Sequence, residues 1–270
     1  MSTLATTLRG SLLRDARIQL GYPGALLMGA LAALFSPLLF YFLARFVGSG
    51  VEDELGRYGG SYFAFVLVGL VVTTFLTVTV ATFGRALRQS QLLGVLEALV
   101  QTPARTSSIL LGSSLWPYLW AAVQAVVLVV IAVLLMGVEL DVDVLGTLVA
   151  GLLLLASLAA VGLMISAVVL STKRGEAVTL AVSTGAMLLG GLYYPISVLP
   201  QPLESIAEAL PIWHGTEALR LALLKGEGIE GLAADLWPVA LFTVIALPLS
   251  LWMVERAVEL CRQRGTLGQH

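Results

Sequence analysis

The sequence predicts an all-α integral membrane protein with six transmembrane helices and both termini in the cytoplasm. Composition, the spacing of charges and the sidedness of Lys and Arg predict it. Of 270 residues, 58% are hydrophobic and 12% charged, whereas soluble domains carry about 25% charged residues. No water-soluble domain needs that much apolar surface. Six intervals free of Asp, Glu, Lys and Arg follow one another: Ile18 to Ala44, Tyr58 to Gly84, Thr106 to Val138, Val144 to Thr172, Ala177 to Leu203 and Leu236 to Val254. Each admits the helix of about 20 residues that the hydrocarbon core demands. The spans are placed at about 24–46, 61–83, 108–136, 145–171, 177–198 and 236–254.

Orientation follows from Lys and Arg, which stay on the cytoplasmic side. With the N-terminus inside, the cytoplasmic segments hold eleven of them, among them Arg9, Arg14, Arg17, Arg85, Arg88, Arg105, Lys173, Arg174 and Arg256. The outer segments hold four, Arg45, Arg57, Arg220 and Lys225, and collect the acids, so a net charge of −2 conceals a steep asymmetry. No cleavable signal peptide is expected, because the first 22 residues carry three Arg and one Asp and lack a compact apolar core. The single cysteine, Cys261, falls in the expected cytoplasmic tail, where a reducing environment and the lack of a partner exclude an intrachain disulfide.

Residues 2–20 place Leu4, Leu8, Leu12 and Ala16 four apart, with Arg9, Arg14 and Arg17 between them, the pattern of a helix lying on the cytoplasmic lipid surface. A topology anchor and an interfacial helix that supports a partner fit this segment equally. Between the second and third spans, Leu92, Leu96 and Leu99 recur at helical spacing and Pro103 stops the helix. Such a helix over 86–103, tied to two spans, is either a lever moved by a soluble partner or a loop lying on lipid. The last outer segment, 196–235, is punctuated by Pro200, Pro202, Pro211 and Gly215, and the stretches LESIAEAL and TEALRLALLK fit between the breakers as short helices. It is either an extracellular cap or a re-entrant segment, the latter permitted only where its irregular turns are buried in protein.

Catalytic chemistry has little to work with. No ionisable carboxylate, Lys or Arg lies in the core of a span, which counts against proton coupling. His214 and His270 are the only histidines, so no HExxH helix or His-based metal site can be assembled. No GxxxxGK[ST] loop occurs, so any ATP must be bound by another polypeptide. The polar groups inside spans are hydroxyls, including Thr73, Thr74, Thr77, Thr79, Thr82, Thr179, Ser183 and Thr184. They serve either to bond their own helix carbonyls and glue helices together or to line a cavity for amphipathic cargo. Pro37, Pro117, Pro238 and Pro248 interrupt spans and favour kinks.

Two stretches carry a resemblance. LEALVQTPARTSSILLG, Leu96 to Gly112, resembles the cytoplasmic segment of type-2 ABC permeases, where a Leu-Glu-rich helix ends in Thr-Pro. GGLYYPISVLPQPLESIAEALPIWHGTEALR, Gly190 to Arg220, is similar to that family's fifth span and outer re-entrant region, and both stretches occur in the family's order. The resemblance implies a single type-2 ABC transmembrane domain over 1–270, the permease subunit of an ATP-driven exporter in a prokaryotic plasma membrane. It implies a second permease copy, identical or a close paralogue, and two copies of a separate ABC ATP-binding subunit that binds ATP and Mg. This chain would hold no cofactor, act as no enzyme, bind no nucleic acid and contact membrane lipid.

The residue roles it implies are coupling to the ATPase partner by Leu92, Leu96, Glu97, Leu99, Thr102, Pro103 and Arg105, and an interface helix using Leu8, Leu12, Arg14 and Arg17. Thr73, Thr77, Thr184 and Met187 would line a pathway at the dimer interface, and Tyr194, Pro195, Pro211, His214, Glu217 and Arg220 would form the outer gate or re-entrant region. Relatives of this type export drugs, lipo-oligosaccharides, polysaccharides and lipids. The competing readings are a six-span secondary transporter or channel working without ATP, and a non-transporting anchor or sensor subunit.

Overall fold

Hydrocarbon cannot satisfy a backbone N–H or C=O, so an apolar chain must close its hydrogen bonds within helices. The computed structural model accords with this: its described residues form helices, turns and short connections, with no strand among them. It describes residues 35–47, 55–58, 61–92, 106–172 and 175–263, together with scattered positions between 10 and 29. The elements are α1 (Phe35–Val47), α2 (Tyr62–Leu92), α3 (Thr106–Met136), α4 (Val144–Thr172), α5 (Gly175–Leu189), α6 (Gln201–Glu208), α7 (Pro211–Leu224) and α8 (Ile229–Gln263), with 3-10 turns at Gly56–Tyr58 and Ile196–Val198.

Among the described residues, four helices, α2, α3, α4 and α8, are long and apolar enough to cross a membrane, while α1 and α5 are shorter apolar helices. Of the apolar stretch of α2, 78% is buried within the chain, against 22% for α3, so α2 is the inner member of the bundle and α3 lies at its rim. α4 packs most extensively on α8, then on α7 and α2. The core divides in two. One cluster joins Phe65, Val72, Leu154, Leu192, Ala218 and Leu232, and the other joins Phe83, Leu163, Leu170, Val254 and Val258 at the opposite end.

Several boundaries depart from the sequence expectation. The fifth span was expected to reach 198, but α5 stops at Leu189, because Gly190 and Gly191 turn the chain and Gly191 takes φ +60°, a conformation L side chains rarely adopt. α8 overruns its expected 236–254 at both ends, since the charges at Asp235, Glu255 and Arg256 limit a hydrocarbon span and not a helix. Cys261, expected in a tail, is therefore inside α8 and buried, its thiol directed at the Leu170 carbonyl. α2 runs on past Gly84 to Leu92 without a break. Pro211, read as a breaker, is instead the first residue of α7, where its missing N–H costs no intrahelical bond. Of the first expected span, 24–46, the continuous described helix is α1.

Candidate functional site

The expected outer segment contains a helix that is mostly core: ten of the fourteen residues of α7 are buried, including Glu217 and Arg220. A bare charge in an apolar interior carries a large desolvation cost unless it is paired and hydrogen-bonded. The packing around Arg220 meets both conditions. Its side chain is 1% exposed and 3.8 Å from the Glu217 carboxylate, one helical turn away. Its guanidinium donates to the carbonyls of Gly191 (2.6 Å) and Leu192 (3.2 Å), and its Nε donates to that of Phe65 (3.4 Å). Its plane covers the Phe65 ring at 3.6 Å.

Those acceptors explain why an arginine sits here. α5 ends at Leu189, and a helix C-terminus leaves carbonyls without intrahelical donors. Just past that end the turn presents the Gly191 and Leu192 carbonyls, and a guanidinium, with five donors in a fixed fork, serves these two. Arg220 thus joins three elements: α7, the turn after α5, and α2. The turn also lies directly on α2, where a Cβ added at Gly69 would come within 1.7 Å of the Leu192 carbonyl oxygen, so only glycine fits.

Glu217 is held from the other side. The Tyr58 hydroxyl donates to both its oxygens at 2.9 and 3.0 Å, and Arg57, whose side chain is mostly exposed, approaches to 3.3 Å. Burial raises the Glu217 pKa above the ordinary carboxylate value, opposed by Arg220, the Tyr58 hydrogen bond and Arg57. Burial and the Glu217 charge hold the Tyr58 phenol well above its usual range, so it stays a donor. Burial lowers Arg220 to about 10, which leaves it protonated at neutral pH.

Further contacts extend the network. His214 Nδ1 lies 3.0 Å from Asp235 Oδ1 and links α7 to α8. Tyr193 shares a hydrogen bond with Thr73 (3.0 Å), its carbonyl accepts from the Tyr62 hydroxyl (3.2 Å), and its ring stacks on Phe40 at 5.1 Å. The turn after α5 is therefore tied to α1, α2 and α7 together. No group of three His, Cys, Asp or Glu that could hold a metal occurs among the described residues. Among the described residues, the hydrogen bonds and ion pairs of the cluster join α7, the turn after α5 and α2.

Of the expected outer residues, Glu217 and Arg220 meet in this joint and His214 flanks it. Tyr194 instead donates to the Leu188 carbonyl (2.6 Å), while Pro195 precedes a 3-10 turn and Pro211 opens α7. Of the expected pathway residues, Thr73 bonds the Gly69 carbonyl and Tyr193, Met187 packs against the core, and Thr77 and Thr184 are exposed. Leu92 is the last residue of α2; Leu96, Glu97, Leu99, Thr102, Pro103 and Arg105 lie outside the described residues. Leu8 also lies outside them, while Leu12 is half-buried and Arg14 and Arg17 exposed at helical positions.

Sequence reading missed Arg57, Tyr58, Tyr62, Tyr193 and Asp235. Only the Glu217/Arg220 spacing, three apart on a helix, was a local signal.

Long apolar helices, joined at one end by a buried charge network, make this an all-helical bundle with helices suited to crossing a membrane. The family model described as ABC-2 type transporter matches residues 7–224. The chain belongs to that family. It is 27% identical over 246 residues to Nodulation protein J of Rhizobium leguminosarum bv. trifolii, covering 89% of this chain and 90% of the relative. It is 27% identical over 238 residues to Nodulation protein J of Neorhizobium galegae, covering 86% of each. ABC transporter G family member 20 of Dictyostelium discoideum is 30% identical over 141 residues, which is 51% of this chain and 19% of that protein.

Proposed function

We propose that this chain is the permease subunit of an ATP-driven exporter, crossing a prokaryotic plasma membrane six times with both termini inside. Two permease copies work with two separate ATP-binding subunits that hold ATP and Mg, and the cargo is amphipathic: a drug, a lipid-like molecule or a glycan. The observation that carries this reading is the family match over 7–224 in a sequence that contains no phosphate-binding loop. The names of the relatives support it, since one is an ABC transporter and the others are nodulation proteins.

The geometry supplies a mechanism. α2 extends unbroken over 31 residues, roughly 46 Å at 1.5 Å per residue. Its far end leads into the coupling segment, 86–103, and its near end carries Phe65 and Gly69 against the Arg220 joint. A push on the cytoplasmic end by the closing ATPase pair passes along this rod to the outer joint. Because the α5 turn and α7 are fixed to α2, they move with it as one body, with 196–235 as the re-entrant outer gate. Thr77 and Thr184, exposed on α2 and α5, face the pathway at the dimer interface.

Copurification tests the proposal. Affinity purification of the full chain from its native membrane should bring down a soluble ATPase in equal stoichiometry, with ATP hydrolysis in nanodiscs. A chain that transports in proteoliposomes without an ATPase would instead establish the secondary-transporter reading.

A further inference from the structure

At the end opposite the Arg220 joint, α4 and α8 part to leave a groove of about 200 Å³. Its floor is apolar and built from small residues, Ala167 and Ala257, with Val168 on one wall. Trp252 and Arg256 stand one turn apart on α8 at its edge, and Ser171 faces them from the end of α4. Trp252 is 62% exposed, and Arg256 is exposed and forms no ion pair with another described residue. The Ser171 hydroxyl already donates to the Ala167 carbonyl (2.9 Å), and Arg256 is the charged donor among the residues lining the groove. Glu259, one turn further on, is engaged by Arg262 (3.5 Å) and Gln263 (3.1 Å).

Depth fixes what chemistry meets this mouth. Trp237 and Trp252 are both exposed on α8, and amphipathic indoles collect at the two interfaces of a bilayer. From Trp237 to Arg256 is nineteen residues, about 28 Å of helix, close to the hydrocarbon thickness of roughly 30 Å. With the topology proposed above, on which this step rests, Arg256 stands at the phosphate level of the cytoplasmic leaflet, the leaflet rich in anionic lipid. Below it lies an apolar trough suited to an acyl chain.

We propose that the α4/α8 groove is a binding site for one anionic phospholipid of the inner leaflet, its phosphate on Arg256, its glycerol region beside Trp252 and one acyl chain along Ala167, Val168 and Ala257. The charge of Arg256 selects the headgroup, and the small floor residues admit the chain.

The test uses delipidated full-length chain titrated with phosphatidylglycerol or phosphatidylcholine and read by native mass spectrometry. Phosphatidylglycerol binds more tightly than phosphatidylcholine in the wild type. Arg256→Gln weakens phosphatidylglycerol about fivefold, the factor expected for one surface cation, and leaves phosphatidylcholine unchanged. Arg256→Lys restores most of the preference, and Arg262→Gln changes nothing. Val168→Phe, which fills the trough and keeps the charge, weakens both lipids and serves if the Arg256 variant does not fold. Equal binding of the two lipids by wild type, or full phosphatidylglycerol affinity in both Arg256→Gln and Val168→Phe, overturns the proposal. A separate label distinguishes its failure from that of the topology. In a Cys261→Ser background, Arg256→Cys should react with an impermeant maleimide only from the cytoplasmic face. Reaction from the outer face refutes the topology and with it the inner-leaflet assignment, whereas cytoplasmic reaction without lipid preference refutes the lipid site alone.

Discussion

Replacing Arg220 with Met leaves the Glu217 carboxylate without its one buried cation, with only the mostly exposed Arg57 beside it, and removes the guanidinium donors to the Gly191 and Leu192 carbonyls. Removing one partner of a buried pair costs about 3–5 kcal/mol. The side chains are 1% and 0% exposed, so solvent screens little of this. For a chain of this size about 1 kcal/mol shifts the midpoint by roughly 2–4 °C, so Arg220→Met should lower the unfolding temperature by about 10 °C. The assay is intrinsic tryptophan fluorescence on heating in detergent. The control is the double variant Glu217→Gln, Arg220→Met, which no longer buries a carboxylate deprived of its buried cation. It should be less destabilised than the sum of the single changes, with a coupling of about 1–3 kcal/mol. An Arg220→Met protein melting within about 2 °C of wild type, or strict additivity in the cycle, would refute the joint as the element that holds the α5 turn to α2.

Other consequences follow from the same geometry. Tyr58→Phe removes the hydroxyl that donates to both Glu217 oxygens and should cost about 1–2 kcal/mol, read as a midpoint drop of a few degrees; no drop would mean that Arg57 and Arg220 suffice. Gly69→Leu drives a side chain into the Leu192 carbonyl and should abolish the folded monodisperse peak in size-exclusion chromatography, whereas Gly56→Ala, open on all sides, should not. Leu96→Asp or Glu97→Lys in the coupling segment should leave membrane insertion intact and uncouple transport from ATP hydrolysis; normal transport by either variant removes the coupling role. Impermeant labels at positions 97 and 173 should report the same face of the membrane, and opposite faces would overturn the proposed topology.

The long helices were legible because hydrocarbon imposes a rule on consecutive residues: it excludes charge over a fixed length. That rule placed α3 and α4 within two residues of their observed ends. It failed at α5, where the apolar run continues past Leu189 but the backbone does not, since Gly191 turns the chain without introducing a charge. It also did not show that the short helix expected at TEALRLALLK is buried, because charge in a sequence says nothing about whether a partner waits in the fold. Glu217 and Arg220 were expected in an outer gate or re-entrant region, with no partners specified, and each finds them across the chain, Tyr58 at a separation of 159 residues and Phe65 at 155.

What the amino-acid order determined by itself is the solvent this chain prefers, the family it resembles and the absence of any phosphate-binding loop from these 270 residues. What the tertiary structure decided is which polar groups are hidden and what they hold: a guanidinium on the open carbonyls after α5, a glycine that lets two backbones touch, and a trough between α4 and α8 with Arg256 at its edge. The physical reason is range. Exclusion of charge from hydrocarbon acts on neighbours along the chain, whereas hydrogen bonds and close packing act over a few ångströms between residues that only folding brings together.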